Sequence, residues 1–414
     1  MRDSSESNPI PVVLRSSHLF VLVGRNPLPV WVAARLLLQE NGQLYLVHSP
    51  KMRLLVEHFA RRWRERGGEQ PIYVRIPAYE SRGIDNDMAA HLEAINAGSV
   101  GLNYTGGTKV MALHAYRAME RQLRRGVDGP IFSYLDPERL LMRFDQSAHL
   151  RDGAAPIFVG RAALASLSIK QLFDFHDPRE LSERTSFQGM APNPPALPVA
   201  QAIAALHATA AGTAKWRELS QKLRRDKDLT NEAIGEWPAP HDAVGQALLA
   251  GRAPATTWAE LIQAKVWPFK SVSDLTAWLD GAWLESYVYD LARQLREPLA
   301  LTDAAQDVKA QFRQYAIQAD VAITRGYQLL FISCYSGSST NTATFKLMEA
   351  AVRARQVGGD EAGAALVCMS LTPSAIEDDV RIAASEDRIR VFGQPDFPQL
   401  ADKLHQWIRK CMPQ

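Results

Sequence analysis

Ser-Val-Gly-Leu-Asn-Tyr-Thr-Gly-Gly-Thr-Lys-Val-Met-Ala-Leu-His-Ala-Tyr-Arg-Ala-Met occupies residues 99–119, and its reading decides the fold. A short apolar run ends at Asn103. Thr105, Gly106, Gly107, Thr108 and Lys109 follow, and Met111, Leu113 and Ala115 then open a helical pattern. The order is strand, tight loop, helix start. Paired glycines give the backbone conformations closed to other residues and let a ligand approach closely. The next helix turns unpaired N–H groups and the positive end of its dipole toward that loop. With two threonine hydroxyls and a lysine alongside, the stretch has the chemistry of an anion site, phosphate above all. It is not a Walker A loop, which needs Gly-Lys-Ser/Thr after a longer spacing, nor a Gly-x-Gly-x-x-Gly fingerprint. Loop chemistry alone leaves an ordinary βα turn as the alternative.

The flanking sequence repeats the same alternation. Apolar strands are expected at 18–23, 44–47 and 72–76, helices at 28–39, 52–66 and 83–97, and a closing pair of strands at 131–134 and 140–144. Strands alternating with helices imply a parallel sheet covered on both faces. Ligands bind such a sheet outside the carboxyl ends of its strands. Gly24-Arg25-Asn26, His48-Ser49 and the Asn103–Lys109 loop all fall at such ends, so three loops could converge on one rim, with a strand-end cap the expectation for His48 and Ser49.

A chain of 414 residues is long enough for two or three domains. Its 46% hydrophobic and 22% charged residues are those of an ordinary water-soluble protein. A net charge of +2 excludes a global nucleic-acid field, so any such contact must come from local patches. The three cysteines, Cys334, Cys368 and Cys411, are far apart and form no Cys-x-x-Cys pair, which points to a reducing cytoplasm. Residues 1–17 are polar without an apolar signal core, and no run approaches the ~20 apolar residues of a membrane span.

The expected division is 1–150, 151–270 and 271–414. In the middle part, 188–198 is proline-rich and reads as a linker, followed by helices near 199–210, 215–225, 242–250 and 258–266, a small winged-helix-like spacer. Lys222, Arg224, Arg225 and Lys227 form a basic cluster there, a solvated helix face or a phosphate contact. Beyond 271, an amphipathic helix at 275–295 precedes strands at 308–315, 320–324 and 328–334, with a turn at Arg325-Gly326-Tyr327. A helix at 345–355 is expected to bury Phe345, Met348 and Val352 on one face. Gly358-Gly359 ends it. Strands at 364–369 and 389–392 and a helix at 397–410 complete the chain.

The ordered string Asn103-x-Thr105-Gly106-Gly107-Thr108-Lys109-x-Met111 resembles the signature of CARF domains, Rossmann-like sensors of cyclic oligoadenylate in type III CRISPR defence. The resemblance covers residues 15–150. It implies that Gly24, Arg25 and Asn26 on the first loop, with Asn103, Thr105, Gly106, Gly107, Thr108 and Lys109, form the ligand rim. It also implies a homodimer that presents the rim twice to a ring of two-fold-like symmetry, cyclic tetra-adenylate first among ring sizes.

Residues 275–414 resemble the PD-(D/E)xK nuclease domain of the Card and Can effectors. The matching strings are Gly281-Ala282-Trp283-Leu284-Glu285, Asp320-Val321-x-x-Thr324-Arg325-Gly326 and Leu330-Phe331-Ile332-Ser333-Cys334. The whole is then an α/β chain: a CARF domain, a small helical middle region and a restriction-endonuclease-like domain acting on DNA or RNA. The resemblance makes Glu285, Asp320 and Ser333 the contacts for Mg or Mn, the hard cations that carboxylate oxygens suit. The sequence departs from the pattern twice. Tyr335 stands at the lysine position, and Gln318 stands where an acid often precedes the aspartate. A phenol carries no positive charge at neutral pH. Lys346 and Glu349, on the next helix, are the available substitutes, although an i,i+3 pair on a solvated helix face is the expectation for both. Three functions stay open: a ligand-activated nuclease with Glu285, Asp320, Tyr335 and Lys346 as its catalytic set, a non-catalytic sensor, and a domain that cleaves the cyclic ligand itself.

Overall fold

The computed structural model describes residues 8–123, 130–145, 154–176, 188–190, 197–225, 278–312, 316–337, 339–381 and 388–412. The first sheet begins with β1 (Ser16–Leu22), α1 (Leu28–Leu37), β2 (Leu38–His48), α2 (Arg53–Glu65), β3 (Ile72–Arg75), α3 (Ser81–Glu93), β4 (Val100–Asn103) and α4 (Lys109–Leu123). It closes with β5 (Ile131–Asp136), β6 (Leu141–Phe144) and β7 (Ile157–Phe158). The strand order is β3-β2-β1-β4-β5-β6-β7, parallel through β5 and antiparallel beyond. The order reverses between β1 and β4, and the crevice outside their carboxyl ends is where such sheets take a ligand. The loops after β1 and β4 stand on either side of it.

The sheet runs to Phe158, past the expected boundary at 150. The following α5 (Ile169–Asp174) joins both halves. Trp31 Nε1 donates to Ala165 O at 3.1 Å. Leu167 N–H donates to Gly326 O at 2.9 Å, and Ile169 N–H donates to Asp303 Oδ2 at 3.1 Å. One apolar cluster runs from Leu19, Val21 and Trp31 through Phe173 and Phe175 to Val308, Phe331 and Val357. Residues 154–176 therefore weld the two sheets rather than separate them.

The second sheet has the order β13-β12-β11-β10-β9-β8. Its parts are β8 (Gln188–Met190), α6 (Leu197–His207), α7 (Ala210–Arg225), α8 (Trp283–Gln294), β9 (Asp303–Gln311), β10 (Ala316–Arg325), β11 (Gln328–Tyr335) and α9 (Thr340–Gly358). It ends with β12 (Gly363–Cys368), α10 (Pro373–Arg381), β13 (Ile389–Phe392) and α11 (Leu400–Cys411). The 188–198 stretch expected as linker thus begins with a sheet strand. The helices expected at 242–250 and 258–266, and the side chains of the basic cluster, lie outside the described residues. The β10–β11 hairpin turns at Gly326, whose φ of +59° a glycine reaches without strain.

α9 differs from expectation in its rotation. It buries Ala343, Leu347, Ala350, Ala354 and Val357, while Phe345 is 72% and Val352 54% exposed. Alanines permit the close packing onto β11 and β12 that the larger side chains would prevent. The three cysteines are buried and form no disulfide, and no helix among the described residues is long and apolar enough to cross a membrane.

At the seam between the halves, Arg388 is 7% exposed and donates to Glu361 O, to Pro137 O at 3.0 Å and to Glu138 O at 2.9 Å. Glu361 is 1% exposed, and burial pushes its carboxyl from an ordinary 4.5 up to about 7, with Arg388 opposing. The folded protein therefore holds this proton more tightly than the unfolded chain does. Stability from the protonated form is complete below pH 4.5 and is lost as pH rises through about 7. Glu361→Gln should remove that slope, gaining about 2–3 kcal/mol on wild type between pH 5 and pH 8. Urea unfolding at both pH values measures it, and parallel curves would refute it.

Candidate functional site

The first site is a rim of interlocked loops. Asn103 ends β4 fully buried, its Nδ2 donating to Ser133 Oγ at 3.2 Å. Its Oδ1 accepts from Thr105 Oγ1 at 2.8 Å, and the same threonine oxygen accepts from Leu135 N–H at 2.8 Å. Thr108 Oγ1 donates to Ala78 O at 2.8 Å and accepts from Met111 N–H at 3.1 Å, which caps α4. The polar atoms of Asn103, Thr105 and Thr108 thus build the loop.

The glycines are there because the backbone comes too close for anything else. A Cβ on Gly106 would sit 2.2 Å from Leu22 O and 2.7 Å from Gly24 N. Gly107 has φ +78°. Gly107, Lys109 and Arg25 are exposed around this crossing, and Gly24 is half-buried. Asn26, grouped with the rim by the resemblance, directs both side-chain ends elsewhere: its Oδ1 accepts from Leu28 N–H at 3.0 Å, and its Nδ2 is turned toward Gly359 in the second half of the chain. His48 and Ser49 are buried, with His48 Nδ1 bonded to Ser49 O, so they serve the strand end.

The second site is a cavity of about 170 Å³ between β10, β11 and α9, lined by Gln318, Asp320, Ser333, Lys346 and Glu349 among others. Asp320 is 8% exposed; its Oδ2 accepts from Cys334 N–H at 2.7 Å and Ser333 Oγ at 3.1 Å. Glu285, in the first turn of α8, lies close enough to interact with it. Burial pushes the Glu285 carboxyl up to about 7; Asp320 and Asp307 add to the push, and Lys346 and Lys309 oppose it. Lys346 is half-buried at the cavity wall, not on the solvated face expected for it. Glu349 also lines the cavity but keeps 68% side-chain exposure and reaches Arg353 at 3.8 Å. Tyr335 is not among the lining residues. It packs against the α9–α10 cluster and over Gly337, where a Cβ would meet its hydroxyl at 2.4 Å.

One acid escaped the sequence reading. The β9–β10 register pairs Ala319 with Val308 and Val321 with Gln306, which places Asp307 in the slot opposite Asp320. Asp307 has φ +48°, a left-handed conformation that aspartate tolerates. It is held by Lys309 at 2.8 Å and Gln318 at 3.4 Å. The alternation Gln306-Asp307-Val308-Lys309 was the only signal, and it has meaning only once the strands are paired. Among the described residues, no three His, Cys, Asp or Glu side chains gather at metal-binding spacing.

Residues 273–411 match the family model for the Card1-like endonuclease domain. No curated protein matches the chain by sequence. Among solved structures, protein VC1899 from Vibrio cholerae is 15% identical with a TM-score of 0.67, covering 96% of this chain and 100% of that one. Can2 from Sulfobacillus thermosulfidooxidans, in complex with cyclic tetra-adenylate, is 18% identical with a TM-score of 0.66, covering 96% and 98%. Residues 273–411 are therefore similar to a Card1-like endonuclease domain, and the chain as a whole shares the fold of VC1899 and Can2.

Proposed function

We propose that this protein is a type III CRISPR effector that binds cyclic oligoadenylate at the first rim and thereby regulates a metal-dependent nuclease acting on DNA or RNA. The observation that carries the reading is the match of 273–411 to a Card1-like endonuclease domain, in a chain with the fold of a cyclic tetra-adenylate complex. Gly24, Arg25, Gly106, Gly107 and Lys109 are the groups offered to the ligand: main-chain amides and two cations for a polyanion. A homodimer would present them twice across its axis. The working place is the cytoplasm, in keeping with three widely spaced cysteines that form no disulfide.

Asp320 and Glu285 would hold the Mg or Mn ion, with Ser333 at the cavity wall. Two carboxylates suit a hard cation that keeps waters and shares a phosphate oxygen. When bound, such an ion polarises the phosphoryl group and lowers the pKa of a bound water. The protein's own part is to bring the two carboxylates to one cavity, the Asp320 one held by Cys334 N–H and Ser333 Oγ, and to supply an ammonium at Lys346 for the charge that builds on phosphorus-bound oxygen. Tyr335 at the family's lysine position favours a second reading, a non-catalytic sensor with the same ligand.

Lys109→Ala should weaken cyclic tetra-adenylate binding about tenfold, the loss expected for one charge at a phosphate. Calorimetry checks it. Equal affinity in the variant would take the ligand away from this loop.

A further inference from the structure

The ligand rim and the second cavity are bridged by one helix, and one side chain stands where the rim meets it. The loop after β1 is locked to the Gly106-Gly107 loop: a Cβ on Gly24 would lie 3.3 Å from Gly107 N and 3.4 Å from Gly106 Cα. The Gly24–Asn26 segment therefore cannot keep its place if the Gly106-Gly107 loop moves. Two residues after Gly24, Asn26 points its Nδ2 at the carboxyl end of α9. A Cβ on Gly359 would fall 2.1 Å from that nitrogen and 2.7 Å from Glu361 Oε2. Gly359 has φ +78° and its N–H donates to Arg355 O, closing the helix. Glycine is needed there twice, for the left-handed cap and for the space that Asn26 fills.

The same helix carries Lys346 and Glu349 at the cavity. Thirteen residues at 1.5 Å rise separate Lys346 from Gly359, so α9 spans about 20 Å from seam to cavity. Its buried alanine and leucine face keeps it in one rigid piece against β11 and β12. A shift imposed at Gly359 therefore moves the cavity wall.

We propose that Asn26 is a positioning residue that couples the anion loop to α9 and, through α9, sets the place of Lys346. This rests on the reading of the first domain as a cyclic oligoadenylate sensor. The coupling is a contact between two packed elements, each of which has a ligand or substrate at its far end, and not a matter of distance alone.

Hydrogen–deuterium exchange of the full-length protein, with and without cyclic tetra-adenylate, tests it without requiring cleavage. The wild type should bind in calorimetry and change its exchange across 340–358. Asn26→Ala should bind within about threefold of wild type yet lose most of that change. Asn26→Ser keeps an oxygen to accept from Leu28 N–H but lacks Nδ2. It should lose the change equally, which separates the seam from the capping of α1. Persistence of the α9 response in either variant overturns the proposal. So does a wild type that binds with no response at 340–358, and so does a loss of affinity beyond threefold, which would make Asn26 a ligand contact. Failure of the wild type to bind any cyclic oligoadenylate is seen before a variant is made, and it removes the sensor reading and the coupling with it.

Discussion

Gly106→Ala should lower affinity for cyclic tetra-adenylate about a hundredfold, a larger effect than removal of any charge at the rim. The added methyl would stand 2.2 Å from Leu22 O and 2.7 Å from Gly24 N, both backbone atoms that no rotamer change can move. The loop must lift off the end of β1, and its amides leave the geometry in which they face an anion. Overpacking of this kind costs about 1–3 kcal/mol of stability, so the domain stays folded with a lowered Tm. Gly107→Ala is the control. Its Cβ would meet only side-chain atoms, none nearer than 3.4 Å, although φ +78° adds about 1 kcal/mol of strain. Affinity should then fall much less than in Gly106→Ala. Calorimetry with thermal melts on both variants measures the contrast, and full affinity in Gly106→Ala would place the ligand elsewhere.

The first sheet was legible because its signals are local. Apolar runs end in Gly24-Arg25-Asn26 and in the Gly106-Gly107 loop, and alternation with helices dictates where those ends lie. The roles of Thr105 and Thr108 were not legible. A hydroxyl beside a glycine loop has the same sequence whether it donates to a phosphate or to Ala78 O. The second site shows the opposite balance. Glu285 and Asp320 can be named as candidates by pattern, but Asp307 depends on strand register and Lys346 on how α9 is rolled against the sheet. That roll followed the alanines, not Phe345 and Val352, because the closest packing wins over the largest apolar side chain when the sheet surface is itself bulky. Contacts such as Asn26 with Gly359 join the two halves of the chain, and no periodicity encodes them.

Asp320→Asn should abolish metal-dependent plasmid cleavage by a factor of about a thousand or more, and Lys346→Ala should cost about a hundredfold. Asp320 brings its charge to the cavity while accepting from Cys334 N–H and Ser333 Oγ. An amide in its place keeps the shape, and its oxygen can still accept from both donors, but it has no charge for a cation. Lys346 is the cavity-wall cation on α9. Tyr335→Lys decides between the two positions for the ammonium. Tyr335 packs into the α9–α10 cluster, away from the cavity lining, so a lysine there should bring no gain. A rise of tenfold or more, about 1.4 kcal/mol, would return the catalytic role to the strand and reduce Lys346 to a wall residue. Wild type that cleaves neither plasmid nor single strands with Mg or Mn, while still binding cyclic tetra-adenylate, would make the protein a sensor. In that case the buried Asp320 and the half-buried Glu285 remain only as a pair of neighbouring acids, whose mutual repulsion the fold would carry with no chemical return.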